Sequence, residues 1–278
     1  MSNVITEIGK IKIKWEIKEE SIRERILDHY RNFLSNGEKK EIEIKFYKKS
    51  FLFPSGIKPI VNTRSWEYLK DRDKFYFRFP RGENSSVAVI RQDFKKVEFF
   101  SPDKDGQLLL YLFPELLYSL ILPEFRGILL HACGIKMKNR IFVFLAPPEG
   151  GKSTIAKLAL KKGLIVLNDD RIILRKIKGK YFAFGNPWHG EVKITSSDYG
   201  EIEELFFLEK AKRNYIQRIF KKDMVIQIIR NSFYLKEDKE SLRKIVEIVL
   251  DIVDNINGYI FGFKPDLKIW KYLDERFK

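Results

Sequence analysis

Apolar and polar residues alternate along much of the first hundred positions. The pattern is clearest in residues 11–17, IKIKWEI, and 41–47, EIEIKFY, where a period of two predicts half-buried strands. Residues 21–34 begin with a serine that can cap a helix, and their pattern predicts one. An antiparallel meander of short strands is expected at residues 66–69, 74–79, 87–92 and 96–100. The first part of the chain is therefore predicted to be a small α+β module.

Longer apolar runs distinguish the rest of the chain. Residues 141–145 form one run, a helical repeat follows it, and residues 164–167 form the next run. The later patterns predict strands at residues 172–177, 180–184, 202–208 and 259–264, and helices at residues 224–229, 241–255 and 266–273. Strands that alternate with helices indicate an α/β fold. We therefore expect two domains, residues 1–105 and 106–278.

The connection between the strand 141–145 and the next helix has a phosphate-binding pattern. It reads APPEGGKST, with Ala146 at the position where the usual P-loop begins with glycine, so the match is to the relaxed form of that motif. Gly150 and Gly151 allow the backbone to curl, so that N–H groups around Glu149 can surround a phosphate. The alternative is an ordinary glycine turn. A strand before the loop and a helix after it favour the P-loop.

The residues that follow the glycines supply the rest of a nucleotide site. Lys152 is expected to reach the β and γ phosphates of ATP, and the Ser153 hydroxyl is expected to bind Mg²⁺. The positive end of the following helix adds to the attraction for phosphate. The residues expected to bind the nucleotide are Glu149, Gly150, Gly151, Lys152, Ser153 and Thr154.

Residues 164–170 are an apolar run that ends in an asparagine and two adjacent carboxylates, Asp169 and Asp170. This pattern predicts a buried parallel strand whose acids lie near the loop of the neighbouring strand. One carboxylate can hold Mg²⁺ while the other accepts a proton from an attacking hydroxyl. The alternative is a polar turn without a chemical role.

Three blocks in this order resemble the HPr kinase/phosphorylase-like proteins, which are related in fold to ATP-dependent phosphoenolpyruvate carboxykinase. The blocks are residues 129–134, the glycine loop and residues 168–171, and the resemblance covers about residues 108–208. It implies an α/β P-loop nucleotide-binding domain of the HPr kinase/PEP carboxykinase type, beside the smaller N-terminal α+β module. It also implies a kinase that transfers the γ-phosphoryl group of Mg·ATP to a serine hydroxyl.

The resemblance also assigns roles to residues. It implies that His131 and Asp169 lie around the reacting phosphate, with Asp169 as the general base, and that Asp170 and Ser153 lie on the metal side. A Gly- and Arg-rich segment that helps such enzymes recognise HPr is absent here, and residues 188–191, WHGE, stand in its place. Glu191 in this block is a candidate second metal ligand, and its histidine is either structural or faces the acceptor. The expected acceptor is therefore a hydroxyl of another protein, a peptide or a small molecule.

Composition and charge limit the other functions that the sequence allows. The net charge of +15 attracts phosphate, but the 53 basic residues are interleaved with 38 acidic ones along the chain, which favours a solvated surface over a nucleic-acid motif. Two other functions stay open: a non-catalytic nucleotide-sensing regulator and a nucleic-acid-stimulated ATPase. Formation of a homo-oligomer is also left open.

Two segments bear on location. Residues 1–20 are polar and lack an apolar secretory core, so a cytoplasmic protein is expected. Residues 108–130 are strongly apolar, but prolines and charged residues interrupt them, which predicts a buried helix at residues 107–122 and no membrane span. The single cysteine, Cys133, excludes an internal disulfide and is predicted to be core.

Overall fold

Two β-sheets organise the chain. The computed structural model describes residues 3–37, 39–81, 84–102 and 106–277, and within these ranges eight strands form one sheet and nine form the other. The chain divides into two units, Met1–Ile121 with Leu235–Asp238, and Leu122–Tyr234 with Lys239–Lys278. The sequence predicts a domain boundary between residues 105 and 106. Residues 103–105 lie outside the described ranges. Each unit combines one sheet with helices.

The first unit contains an eight-stranded sheet and two α-helices. The elements are β1 (Val4–Ile8), β2 (Ile11–Glu16), α1 (Glu20–His29), β3 (Ile42–Tyr47), β4 (Pro59–Asn62), β5 (Glu67–Lys70), β6 (Lys74–Arg81), β7 (Asn84–Arg91), β8 (Lys96–Phe100) and α2 (Leu112–Ile121). The strand order, β1-β2-β3-β8-β7-β6-β5-β4, includes the antiparallel run β5 to β8 and so confirms the predicted meander. Alternate residues of β2 are buried, as its period of two predicts. Helix α1 ends earlier than the sequence pattern suggests, because a 3₁₀ turn, Arg31–Phe33, follows it.

The apolar stretch that the sequence marked as a buried helix is divided. A 3₁₀ turn at Gln107–Leu109 precedes α2, and a second one, Leu122–Phe125, follows it. Among the described residues, Gln107–Phe125 is a stretch long and apolar enough to cross a membrane. More than half of its apolar part is buried inside the protein, as in a core helix.

The second unit holds a nine-stranded sheet with helices on both faces. The strands are β9 (Gly127–Met137), β10 (Arg140–Leu145), β11 (Ile165–Asn168), β12 (Arg171–Ile177), β13 (Lys180–Phe184), β14 (Tyr199–Lys210), β15 (Tyr215–Arg218), β16 (Ser232–Phe233) and β17 (Asn257–Phe263). Their pairing order is β10-β9-β12-β13-β14-β17-β15, with β11 and β16 added on β9 and a further pairing between β10 and β14. The helices are α3 (Lys152–Lys161), α4 (Lys221–Arg230), α5 (Lys239–Asn255) and α6 (Lys268–Arg276).

Strand β9 lies between the two strands that carry the predicted site. Both β10 and β11 pair with residues 134–136 of β9, so they lie on its opposite edges, and both run antiparallel to it. The prediction that residues 164–170 form a strand parallel to its neighbour is therefore wrong. The parallel strand, β10, lies one position further away, but β10 and β11 still end at the same edge of the sheet.

Alternation along the strands separates two cores. In β10, Ile141 and Val143 face the core that α4 and α5 cover, whereas Phe142 and Phe144 face the core that α3 and α6 cover. Four residues of the predicted apolar stripe of α5, Ile245, Val249, Ile252 and Val253, pack into the first of these cores. Leu242 of that stripe is exposed, and Val246 is only half-buried. Helix α3 is therefore fixed on one face of the sheet, with its N-terminus at the end of β10.

Candidate functional site

Four strands of the second unit end at one edge of the sheet. Strands β10, β14 and β17 are parallel, and β11 runs in the same direction as β10. The loop 146–151 leaves β10 here, opposite Ala132 of β9, and residues 169–170 leave β11 beside it. Arg171, which begins β12, pairs with His131 of β9. The middle of β9 thus brings the glycine loop and the acidic pair to the same place, as carboxyl ends of strands do in open α/β sheets.

The glycine loop is tightly curled. The amide N–H of Gly150 donates to the Pro147 carbonyl over 3.0 Å, and Gly151 caps α3 with a φ of +107°. A Cβ at Gly150 would lie 2.5 Å from the Ala146 Cβ, and one at Gly151 would lie 2.9 Å from the Phe263 ring. Both positions therefore need glycine. A curled glycine loop that leads into the N-terminus of a helix is an arrangement that favours anions.

The ammonium group of Lys152 lies inside this loop. Lys152 is only 6% exposed, and its Nζ donates to the carbonyl oxygens of Ala146 at 2.6 Å and Pro147 at 3.1 Å. Burial lowers the pKa of Lys152, and the negative charge of Asp170 opposes that shift. In the same first turn of α3, the side chain of Ser153 is half-buried and that of Thr154 is exposed. The loop therefore surrounds a cation. Phosphate oxygens can bind this cation by replacing its two carbonyl partners.

Glu191 lies beside the first turn of α3. The Lys157 ammonium is 2.9 Å from the Glu191 carboxylate, and hydrogen bonds from Lys157 and Ser153 lower the pKa of Glu191. The predicted metal residues Ser153 and Glu191 are thus brought together. The third, Asp170, makes its side-chain contacts with His131 and Arg171 instead. Within the described ranges, no three His, Cys, Asp or Glu side chains are grouped closely enough to hold a metal ion.

Asp169 is almost fully buried and holds a loop. Its Oδ1 accepts a hydrogen bond from the Gly190 N–H at 3.1 Å, and its Oδ2 accepts one from the Val192 N–H at 2.9 Å. Gly190 has no room for a side chain, because a Cβ there would lie 2.5 Å from the Asp170 Cβ. Asp169 therefore fastens the segment between β13 and β14 to the edge of the sheet.

Asp170 is the partly exposed carboxylate of the pair. Its Oδ1 lies 3.0 Å from Nδ1 of His131, and its Oδ2 accepts a hydrogen bond from Arg171. Burial raises the pKa of Asp170, but the hydrogen bond with His131 and the charges of Arg171, His131 and Lys152 outweigh that effect, so its pKa lies below the ordinary value. The Phe233 ring contacts both partners, edge-on to His131 and under the guanidinium of Arg171. An ionised carboxylate and an imidazole thus lie within electrostatic reach of the loop lysine.

Two asparagines that the sequence analysis did not single out shape this tip. Asn168 Oδ1 accepts the N–H groups of Asp170 and Arg171, both at 2.9 Å, and its amide donates to the Trp188 carbonyl, also at 2.9 Å. Asn186 Nδ2 donates to the Arg171 carbonyl at 2.6 Å. The signal for Asn168 was present, since an asparagine at a strand end commonly accepts N–H groups two and three residues later.

The remaining residues that the sequence indicated lie at the periphery of the site or in the core. His189 Nδ1 lies 3.1 Å from the carbonyl of its neighbour Gly190, and the side chain is half-buried. Glu149 is exposed and has a positive φ of 62°. Cys133 is fully buried in the α3 core, and burial raises the pKa of its thiol, which confirms the prediction that it is a core residue.

Comparison with known proteins finds matches among solved structures but none by sequence. No family model and no curated protein matches this sequence. Among solved structures, the Hpr(Ser) kinase/phosphatase from Coxiella burnetii matches with 11% identity and a TM-score of 0.33, over 53% of this chain and 94% of that chain. At this identity and TM-score the likeness identifies neither a substrate nor the role of any residue. The two sheets with their helices form a mixed α/β structure.

Proposed function

We propose that this chain is a phosphotransferase that uses Mg·ATP and transfers the γ-phosphoryl group to a hydroxyl. The observation that carries the proposal is the meeting of the Lys152 loop and the His131–Asp170 pair at one edge of the sheet, where Lys152 and Asp170 influence each other's pKa. Phosphoryl transfer needs a cradle for charged phosphates and a group that receives the acceptor's proton. The acceptor that we propose is a serine hydroxyl of a protein, a peptide or a small molecule.

The glycine loop is proposed to hold the phosphates. Backbone N–H groups at Glu149 and Gly151 and the N-terminal turn of α3, including Thr154, would bind phosphate oxygens. The Gly150 N–H would bind one in place of the Pro147 carbonyl to which it donates in this structure. The Lys152 ammonium would exchange its two carbonyl partners for β- and γ-phosphate oxygens, which carry more negative charge. The glycines support this role because neither position accommodates a side chain.

Asp170, and not Asp169, is the better candidate for the proton acceptor. Both oxygens of Asp169 accept backbone hydrogen bonds and the residue is only 2% exposed, so a substrate hydroxyl has no route to it. The acceptor oxygen would attack the γ phosphorus, the bond to the β–γ bridging oxygen would break, and the proton would pass to Asp170. Its lowered pKa keeps it ionised near neutral pH, and loose phosphoryl-transfer transition states do not require a strong base. His131 would hold the carboxylate in place.

The oxygen donors near α3 fit a magnesium ion. Mg²⁺ prefers hard oxygen ligands and usually takes one or two from the protein, with the rest from phosphates and water. Ser153 and Glu191 provide two such donors side by side, which is the observation that supports a Mg²⁺ site here. When bound, the ion would neutralise charge on the phosphates. Glu191 would have to leave its ion pair with Lys157 to take part.

The test is phosphoryl transfer from γ-labelled ATP. The wild-type chain would be incubated with Mg²⁺, labelled ATP and panels of serine-bearing peptides, proteins and free hydroxyl compounds, beside the Lys152→Met and Asp170→Asn variants. The proposal predicts that label appears on an acceptor or, where water slowly takes the place of the acceptor, as inorganic phosphate. Both variants should lose this transfer. Nucleotide binding without turnover in any panel would instead support the non-catalytic nucleotide-sensing alternative.

A further inference from the structure

A cavity of about 500 Å³ opens beside the first residues of the glycine loop. Ala146 and Pro147 of the loop line one part of it. Phe207 of β14, Phe220 just before α4 and Ile226 in the middle of α4 contribute apolar surface. Small-molecule sites in proteins commonly have volumes of roughly 300–1,000 Å³ and mostly apolar walls with a few polar groups. None of the residues given a role in phosphoryl transfer lines this cavity, so those roles do not identify the molecule that occupies it.

The cavity and the phosphate cradle share a wall. The carbonyl oxygens of Ala146 and Pro147 accept the hydrogen bonds of the Lys152 ammonium, and the same two residues line the cavity. A ligand whose phosphates contact Lys152 therefore has the cavity next to it, one peptide segment away. No rearrangement of the sheet is needed for one molecule to occupy both.

The cavity lies on the other side of the loop from the proposed proton acceptor. It is walled by α4, on the face where Leu130 and Ala132 of β9 are buried. The intervening residue, His131, points to the opposite face because side chains alternate along a strand. If the γ-phosphate is directed toward Asp170, the other end of the nucleotide leaves the loop on the cavity side.

Charge decides between kinds of occupant. Two carboxylates, Glu209 and Asp223, and two guanidinium groups, Arg218 and Arg230, line the cavity, so its formal charge is zero. A second anionic ligand gains no net attraction from such a site, whereas a flat uncharged ring can stack on apolar walls and hydrogen-bond to the polar groups. We infer that this cavity holds the nucleoside part of the nucleotide, with the base against Phe220 and Ile226. The inference rests on the proposed nucleotide-dependent function.

Calorimetric titration of the full chain with Mg·ATP and, separately, with magnesium and inorganic tripolyphosphate tests this assignment. The double variant Phe220→Ala/Ile226→Ala changes two side chains that are 74% and 46% exposed, so folding is expected to be retained. Leu250→Ala, on α5 and 49% exposed, is the matched control outside the cavity. The double variant should bind ATP about 5- to 100-fold more weakly, the scale of base–aromatic stacking, and tripolyphosphate within about twofold of the wild type.

The two ligands separate the possible failures. If the double variant binds ATP as tightly as the wild type, or loses ATP and tripolyphosphate to the same extent, the base does not occupy the cavity and the inference is wrong, while the phosphate site stands. If the wild type binds neither ligand, the proposed nucleotide site itself is wrong. A loss of ATP affinity in Leu250→Ala as large as in the double variant would also overturn the assignment.

Discussion

The imidazole Nδ1 of His131 lies 3.0 Å from the carboxylate Oδ1 of Asp170. His131 is in the middle of β9, and Asp170 is at the break between β11 and β12, where its carbonyl oxygen accepts the Ala132 N–H at 3.1 Å. The same carbonyl lies 3.1 Å from the His131 ring nitrogen. Backbone pairing therefore fixes the two side chains beside the glycine loop.

Asparagine substitutions should distinguish the two adjacent acids. Asp170→Asn removes the proposed proton acceptor and should lower the turnover number by roughly 10²–10⁴-fold, the usual scale of general base catalysis, without loss of ATP affinity. Asp169→Asn keeps one oxygen that can accept a backbone hydrogen bond, so it should lower turnover less. Steady-state kinetics with ATP binding measured in parallel makes the comparison. The reverse order of effects, in variants of normal thermal stability, would return the base role to Asp169.

Removal of the Asp169 side chain should destabilise the protein. Asp169→Ala leaves the buried N–H groups of Gly190 and Val192 without their acceptor, at a cost of about 1–3 kcal/mol for each unsatisfied group. Urea denaturation of this variant is compared with that of Asp254→Ala, which breaks an exposed pair with Lys221 and should change little. Equal stabilities of the two variants would show that Asp169 does not fasten the loop.

The Asp170 pairing should make stability depend on pH in the acid range. Because its pKa in the folded protein is below the ordinary 3.8, the pairing contributes stability that is fully present above that value and is lost as pH falls through the lower, folded pKa. The Tm difference between wild type and Asp170→Asn should therefore be constant from about pH 6 to pH 5 and shrink below about pH 4. A difference that grew with acidity would mean that the pKa of Asp170 is raised instead.

Glu191 should affect the magnesium requirement. Glu191→Gln removes one of the two proposed protein ligands and should increase the Mg²⁺ concentration needed for half-maximal turnover by about tenfold or more. Glu201→Gln is the control, because Glu201 also pairs with a lysine, Lys180, at 2.8 Å and carries no role at the site. The magnesium dependence of the two variants is measured at saturating ATP. If both variants match the wild type, Glu191 is not a ligand.

Local patterns predicted much of the second unit. The hairpin turn at Lys178 and Gly179 has positive φ at both residues, as a two-residue turn with glycine requires, and the amphipathic helix α5 is where its apolar stripe indicated. The position of the glycine loop between a strand and a helix was also predictable, because the residues that indicate it are consecutive in the sequence.

The roles of the two aspartates could not be obtained in this way. Their directions are set by the break after β11, which depends on hydrogen bonds from Asn168 and on a loop about twenty residues later that supplies the N–H groups for Asp169. The strand that neighbours β11 was predicted wrongly. The apolar pattern of β11 indicates that it is buried but does not identify the strand that pairs with it, and that strand, β9, lies about thirty residues earlier in the chain. Long-range contacts of this kind leave no periodic signal.

Binding of Mg·ATP to the wild type and to Lys152→Met tests the central claim most directly. Methionine keeps the length and apolar body of the side chain but removes the ammonium that lies in the glycine loop. Isothermal titration should show magnesium-dependent ATP binding to the wild type and a loss of affinity of about 100-fold or more in a variant with an unchanged circular dichroism spectrum, since charged hydrogen bonds to two phosphates disappear. Equal binding by the two proteins, or no binding of ATP by the wild type, would contradict a phosphate site at this loop.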